Sequence, residues 1–198
     1  MNKMISASID LETGGLTEGL HEPLSIAVVC FDETTFKPNG LTFRSLMKPM
    51  RPELVTKEAL AKNNLSMDEL MKAPSPASVR HSFLLWKEEV FDFGAQIFPL
   101  GFNYQFDQRF LSVWMGREQY NQHFYYKYRD TFILAQAVND SGLAKFDKMS
   151  LVALSERLSI DNKNAHTAYG DAICALECYS KLLDVIKIKM QIGRTGIC

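Results

Sequence analysis

The 198-residue chain lacks several features that would assign it to a class at once. Its cysteines form no C-x-x-C pair, so we expect buried free thiols in a reducing compartment rather than disulfides or a zinc finger. These cysteines are Cys30, Cys174, Cys178 and Cys198. No apolar stretch approaches the roughly 18 residues of a membrane span, and no signal-peptide pattern is visible. We therefore expect a cytoplasmic protein without a membrane partner.

The chain also lacks an excess of either sign of charge, since the formal net charge is −1. A protein that coats long nucleic acid usually carries a strong positive excess. The near-neutral charge fits an enzyme that grips a few nucleotides and equally fits a protein with no nucleic-acid role. No repeat, low-complexity tract or linker divides the chain, so we expect a single domain over residues 1–198, with residues 187–198 as a C-terminal tail.

Local patterns predict three strands in succession and then a mixture of helices and strands. The strands are expected at residues 4–9, 24–31, 41–47 and 96–102. The helices are expected at residues 56–62, 66–71, 77–93, 103–115, 131–138, 149–158 and 168–186. This order indicates an α/β sheet flanked by helices, in which the first three strands form a meander.

Asp10 and Glu12 lie two residues apart, where the first strand is expected to end. Residues i and i+2 of a strand point to the same side, so the two carboxylates converge. Their repulsion is costly unless a cation lies between them, and such oxygen donors suit Mg²⁺ or Mn²⁺. A surface pair beside the Gly14-Gly15 turn explains the same spacing, so this pair alone does not establish a metal site.

Asp107 follows Asn103 by four residues, which predicts that both project from one face of a helix. That helix begins just after a buried strand, where open α/β sheets tend to place their sites. An acid favoured by the dipole of the first helical turn is an equally good explanation. Phe106, Phe110 and Trp114 form an aromatic stripe on this helix, for which we predict core packing rather than base stacking.

His166 directly precedes a predicted helix, and Asp171 lies in the first turns of that helix. The residues around them are small: Ala165, Ala168, Gly170 and Ala172. Small side chains allow a helix to approach a sheet closely, which would carry Asp171 toward Asp10. A lone histidine is more often a structural or surface residue, but this one accompanies four candidate acids.

Taken together, three segments resemble the motifs of the DEDD superfamily of 3′→5′ exonucleases. The likeness is to the DnaQ-like DEDDh class of RNase T and DNA polymerase III epsilon type, which has a histidine in its last motif. The segments are residues 10–16 (DLETGGL), 101–107 (GFNYQFD) and 166–171 (HTAYGD). The similarity covers about residues 5–183. Gly14 and Phe102 depart from the commoner Thr and His, and neither is a metal ligand.

The resemblance implies an RNase H-like fold with a five-stranded mixed sheet. It also implies two Mg²⁺ ions, for which Mn²⁺ substitutes, roughly 3.5–4 Å apart. Asp10, Glu12 and Asp171 are implied to bind the first ion. Asp10 would bridge to the second with help from Asp107, and His166 would be the general base.

The resemblance also implies three substrate contacts. The backbone of Thr13 would meet the terminal ribose hydroxyl together with Glu12, and Asn103 would contact the scissile region. Leu16 would wedge between the last two bases, although an ordinary turn-packing leucine is the alternative explanation for that residue.

The expected partner is the 3′ end of a single-stranded nucleic acid, with DNA favoured over RNA on overall likeness to the proofreading type. A free-standing exonuclease and a proofreading subunit of a DNA polymerase both fit, and so does a homodimer. An exoribonuclease on short RNA or RNA 3′ tails shares the same site. A nuclease-like fold used only for binding would have lost catalytic residues, whereas all five are present here.

Overall fold

The structure is a computed structural model that describes residues 4–195, which form a five-stranded mixed sheet with helices on both faces. The strands are β1 (Met4–Thr13), β2 (Pro23–Phe31), β3 (Pro38–Leu46), β4 (Gln96–Gly101) and β5 (Arg129–Asp130). The helices are α1 (Lys57–Lys62), α2 (Met67–Leu70), α3 (Pro76–Val90), α4 (Tyr104–Met115), α5 (Arg117–His123), α6 (Thr131–Asp140), α7 (Leu151–Arg157) and α8 (Ala168–Thr195). One 3-10 turn lies at Pro52–Leu54.

The strand order is β3-β2-β1-β4-β5, which makes β1 the central strand. β1 pairs antiparallel with β2, and β2 pairs antiparallel with β3, so the predicted meander is confirmed. β4 returns parallel to β1, and β5 lies parallel to β4. The β4 pairing reaches only from Met4 to Ser8 on β1, so the second half of β1 has no strand on that edge.

β1 has two chemically different faces because successive side chains alternate. Ala7, Ile9 and Leu11 are buried in the main hydrophobic cluster with residues of α3 and α4. The alternate positions carry Ser8 and then the acids. Ser8 Oγ donates a hydrogen bond to the carbonyl of Ala172 at 2.7 Å, which brings α8 directly against this polar face.

Polar side chains fix where several helices begin. Thr56, Ser66 and Ser75 are the N-cap residues of α1, α2 and α3, and each accepts a backbone N–H from the residue three further on. Pro76 occupies the first position of α3, where a missing N–H costs nothing. The short helices α1 and α2 are therefore well defined despite their length.

Several element boundaries differ from the predictions. β1 continues past the acids to Thr13, and the helix α5 was not expected at all. α8 continues to Thr195, so the predicted tail is helical through that residue, while residues 196–198 lie outside the described part of the chain. Cys30, Cys174 and Cys178 are buried and free, as predicted, and Cys198 lies outside the described residues. Among residues 4–195, no helix is long and apolar enough to cross a bilayer.

Candidate active site

Asp10 and Glu12 lie in the second half of β1 and on its polar face. Their partners across the ladder in β2 are the small residues Ala27 and Ser25, which leave room above the two carboxylates. The prediction that the strand ends at Asp10 is wrong, because pairing with β2 extends to Thr13 with an irregularity after Glu12. The two acids therefore stand on a paired strand rather than on a loose end.

Asp107 reaches the same place from the first turn of α4. Its Oδ1 accepts a hydrogen bond from the backbone N–H of Leu11 at 2.9 Å, on the part of β1 that lies beyond the end of its pairing with β4. The side chain of Asp107 is buried, and this bond ties α4 to β1.

Asn103 does not share a helix face with Asp107, so that prediction is wrong. Asn103 has a φ of 57° and precedes the helix as its N-cap. This left-handed conformation turns the chain from β4 into α4, and asparagine adopts it more readily than most residues. The Asp130 carboxylate holds the turn in place by accepting the N–H groups of Asn103 and Tyr104 at 3.1 and 2.9 Å.

Asp171 completes the carboxylate cluster from the first turn of α8. Oxygen atoms of Asp10, Glu12 and Asp171 all lie within 4.8 Å of one another. The backbone N–H of His166 lies 3.4 Å from Asp171 Oδ1, and His166 itself has a φ of 63°. The last motif is therefore a tight turn that brings the histidine and the acid to the same cavity.

Gly170, in the last motif, occupies a position where the backbone leaves no room for a side chain. A Cβ at this position would lie 2.0 Å from the carbonyl oxygen of Asn164, so no larger residue fits without a shift of the backbone. The prediction that small residues allow close approach is confirmed, since Ala168 and Ala172 are also buried against the sheet.

The four carboxylates strongly perturb one another. Burial raises the pKa of Asp10 well above its usual value, and the neighbouring Asp107 and Glu12 carboxylates raise it further. Burial also raises the pKa of Glu12, to about 7, and raises the pKa values of Asp107 and Asp171. The ammonium of Lys62 opposes these shifts in the pKa of Asp10 and Glu12. Such a cluster is favourable in its ionised form only when cations are bound.

One buried carboxylate oxygen independently indicates that a cation is needed. Glu12 Oε1 is buried and has no hydrogen-bond donor among the described residues. A buried oxygen without a partner is costly, and a cation would satisfy it. The donor set consists of hard carboxylate oxygens, which are the ligands of Mg²⁺ and Mn²⁺. The residues present therefore fit a divalent metal.

The predicted site residues line one cavity of about 530 Å³, which we call the site cavity. It contains Asp10, Glu12, Leu16, Asn103, Asp107, His166 and Asp171. Thr13 lines an adjoining cavity of about 540 Å³, which we call the neighbouring cavity. The two cavities share Leu16, Phe106 and Lys62 in their common wall. Leu16 is 79% exposed, so the turn-packing explanation for this leucine does not hold.

Other residues of the site were not predicted. Phe106 was expected in the core but is half-buried and faces both cavities, whereas Phe110 and Trp114 are buried as predicted. The signal for Phe106 was its position directly before Asp107. Lys62 ends α1 and, among the residues that the structure describes, is the only lysine or arginine that lines either cavity. Nothing in the local sequence indicated this.

Comparisons with known proteins agree with this architecture. A family model described as "Exonuclease" (RNase T) matches residues 8–179. Cell-death related nuclease 4 superposes with a TM-score of 0.73 at 16% identity, over 91% of this chain and 63% of that one. Exonuclease I of E. coli, in complex with a dT13 oligonucleotide, gives 0.75 at 17% identity, over 98% and 43%.

The nuclease domain of 3′hExo, described as a DEDDh family member bound to rAMP, gives a TM-score of 0.68 at 16% identity, over 91% of both chains. At these identities the structures show a shared fold, and the predicted RNase H-like five-stranded sheet is confirmed. This chain spans less than two thirds of cell-death related nuclease 4 and of exonuclease I. Curated protein sequences give no significant match.

Proposed function

The chain belongs to the exonuclease family, and on that premise we propose that it is a metal-dependent 3′→5′ exonuclease that releases nucleoside monophosphates from the 3′ end of single-stranded DNA. One observation carries the proposal: Asp10, Glu12 and Asp171 bring carboxylate oxygens within 4.8 Å of one another, in a cavity that also contains Asp107 and His166. These are the residue types that hydrolysis of a phosphodiester requires.

Asp10, Glu12 and Asp171 would hold the cations, with Asp10 shared between two of them. Asp107 would contribute through the oxygen that does not accept the Leu11 amide, or through a water. Bound divalent ions would lower the pKa of a water and stabilise charge on the leaving 3′ oxygen.

His166 accepts the proton of the attacking water in this proposal. The water oxygen forms a bond to the terminal phosphorus as the bond to the 3′ oxygen of the preceding nucleotide breaks. The backbone N–H of His166, which lies 3.4 Å from Asp171 Oδ1, keeps this residue beside the acids. General-base catalysis of this kind contributes roughly 10²–10⁴-fold to the rate.

Release of one nucleotide at a time would depend on the wall between the two cavities. The exposed side chain of Leu16 stands beside Phe106 in this wall, where it would separate the last base from the one before it. The terminal nucleoside would then occupy the neighbouring cavity. Glu12 and the backbone of Thr13 line that cavity, where they would meet the ribose hydroxyl. Asn103 remains a proposed contact to the scissile region.

A second candidate function is an exoribonuclease acting on short RNA or RNA 3′ tails. It is favoured by the likeness to the 3′hExo nuclease domain, which was solved with rAMP and is matched over 91% of both chains. DNA is favoured by the likeness to exonuclease I in complex with dT13. A DNA polymerase partner and a homodimer stay predictions.

The proposal is tested with single-stranded DNA and RNA of one sequence, each labelled at the 5′ end, in Mg²⁺ or Mn²⁺. The expected product is a ladder that shortens from the 3′ end, faster on DNA, and that a chelator abolishes. Faster shortening of RNA would select the second candidate, and internal cuts would contradict both. Asp147→Asn is the matched control, because it removes an acid on the surface whose ion-pair partner is Lys145.

A further inference from the structure

A third groove, of about 470 Å³, lies outside both cavities described so far. Its lining includes Glu18, Arg109, Ser112, Val113, Arg117 and Asn121, and we call it the α4 groove. We infer that this groove binds phosphates of the single strand on the 5′ side of the scissile bond, through Arg109 and Arg117. The inference rests on the proposed function, because only a 3′-end exonuclease needs to hold the remaining strand there.

The direction of α4 supports this path. α4 follows β4, and its first turn carries Asp107, which lines the site cavity with the other carboxylates. Phe106, Arg109 and Val113 follow the i, i+3, i+7 spacing of one helix face. At 1.5 Å per residue, Arg109 lies roughly 4.5 Å and Val113 roughly 10 Å beyond Phe106 along the axis. A surface that starts in the site cavity therefore continues into the α4 groove.

The loop after β1 joins the same two regions from the other side. Leu16 lies in the wall that the site cavity and the neighbouring cavity share, and Glu18, two residues later, lines the α4 groove. Glu18 Oε1 lies 3.6 Å from Arg109 Nε. A strand that passes between Leu16 and Phe106 would thus meet Arg109 next.

The charges of the groove suit a phosphate backbone. The Glu18–Arg109 ion pair is partly exposed, so it is weak and can give way to a phosphate. Arg117 is exposed and makes no ion pair within the part of the chain that the structure describes. Guanidinium groups match phosphate oxygens in pairs. Basic residues next to an acidic cavity would draw in a polyanion that the carboxylates alone repel.

The groove also lacks what base recognition would need. Its one aromatic residue, Tyr120, is 2% exposed and therefore offers no face for stacking. Ser112 and Asn121 provide hydrogen bonds that suit phosphate or sugar oxygens. The groove should therefore hold the strand without regard to its sequence and to the same extent for DNA and RNA.

The test compares two double variants on two substrates. R109Q/R117Q removes both positive charges of the groove, and R157Q/K148Q removes the same charge from a cavity of nearly the same volume, about 460 Å³, beside α7. The substrates are a dinucleotide and a single strand of about 12 nucleotides, a length within the usual range of such sites. Cleavage is measured as kcat/KM in Mg²⁺, and binding is measured by fluorescence anisotropy in EDTA at several salt concentrations.

For R109Q/R117Q we expect kcat/KM on the longer strand to fall roughly 20-fold at about 0.1 M salt, since each lost contact removes about 0.7 from the salt slope. The slope of log affinity against log salt is negative, and its magnitude should decrease by about 1.4. Cleavage of the dinucleotide should stay unchanged. R109K/R117K should keep the salt slope, because it keeps both charges.

Two outcomes would overturn the inference. One is an equal loss on the dinucleotide and the longer strand, and the other is an equal loss in R157Q/K148Q. Failure of the proposed function has a different signature, in which the unchanged protein cleaves neither substrate. In that case the anisotropy slopes still decide whether the α4 groove binds the strand.

Discussion

The site cavity and the neighbouring cavity have nearly the same volume and share a wall, yet their polar groups are in opposite situations. In the neighbouring cavity, Asn63 Nδ2 donates to the Thr13 carbonyl at 3.2 Å, and Thr13 Oγ1 donates to the Gly15 carbonyl at 2.7 Å. Glu12 lines both cavities, and its Oε1 has no donor among the described residues. In the site cavity it joins three further carboxylates that repel one another. The polar groups of Thr13 and Asn63 are therefore satisfied within the protein, whereas the carboxylates require cations.

This difference separates two contributions to function. The neighbouring cavity is organised before anything binds, so it should determine where the strand ends and how tightly it is held. The acids of the site cavity lower the stability of the metal-free protein, because burial and mutual repulsion disfavour their ionised forms. Changes in the two cavities should therefore alter different measured quantities.

The largest effect is expected for Asp10→Asn. Asp10 faces the other three carboxylates, so its loss should lower the cleavage rate by more than the roughly 10⁴-fold limit of a general base. The same change should raise the melting temperature in EDTA, because it removes a buried charge. Rate and melting temperature are measured on one preparation. Undiminished cleavage would remove Asp10 from the site.

His166→Ala should be the next largest, with a rate loss of roughly 10²–10⁴-fold. His166 is proposed to move a proton and not to hold a cation, so the stabilisation of the protein by Mn²⁺ should be kept. The measurement combines single-turnover cleavage with thermal melts at increasing Mn²⁺. Full activity in this variant would refute the general-base role.

The dependence of stability on pH should sharpen the contrast further. The metal-free fold raises the pKa of Glu12 from 4.5 to about 7, so it favours the protonated carboxyl. The stabilisation of the fold by protonated Glu12 is fully present below about pH 4.5 and is lost as the pH rises through about 7. Melting temperatures in EDTA should therefore fall over this range, and the increase caused by Mg²⁺ should grow. If the increase in melting temperature caused by Mg²⁺ did not depend on pH, the proposed role of Glu12 as a metal ligand would be contradicted.

The smallest effect is expected in the shared wall. Leu16→Ala should raise KM by about tenfold, since burying a leucine side chain against a ligand is worth roughly 1.5–3 kcal/mol. It should leave the melting temperature unchanged, because Leu16 is 79% exposed. Leu20→Ala is the matched control: it lies on the same loop, is 46% exposed and lines neither cavity. Equal effects of the two substitutions would rule out the wedge.

The sequence indicated most of the fold and the acids because both depend on short patterns. Alternation along β1 placed Asp10 and Glu12 on one side, and the small residues of the last motif predicted the close approach of α8. Asn103 was misplaced because its left-handed backbone replaces a helical one. Lys62 was missed because its position depends on how α1 lies against the end of β1, which no local pattern encodes.

The hydrogen bonds that bring the elements of the site together also determine when during synthesis the site can form. Leu11 and Asp107 are 96 residues apart, and Ser8 and Ala172 are 164 apart. Contacts of such long range form late, because the chain must first close large loops. During synthesis Asp10 and Glu12 emerge well before Asp171, which joins them only when α8 has been synthesised and has docked on β1. Until then the proposed hydrolytic centre is incomplete, so the fold itself delays the proposed nuclease activity until the chain has been synthesised through α8.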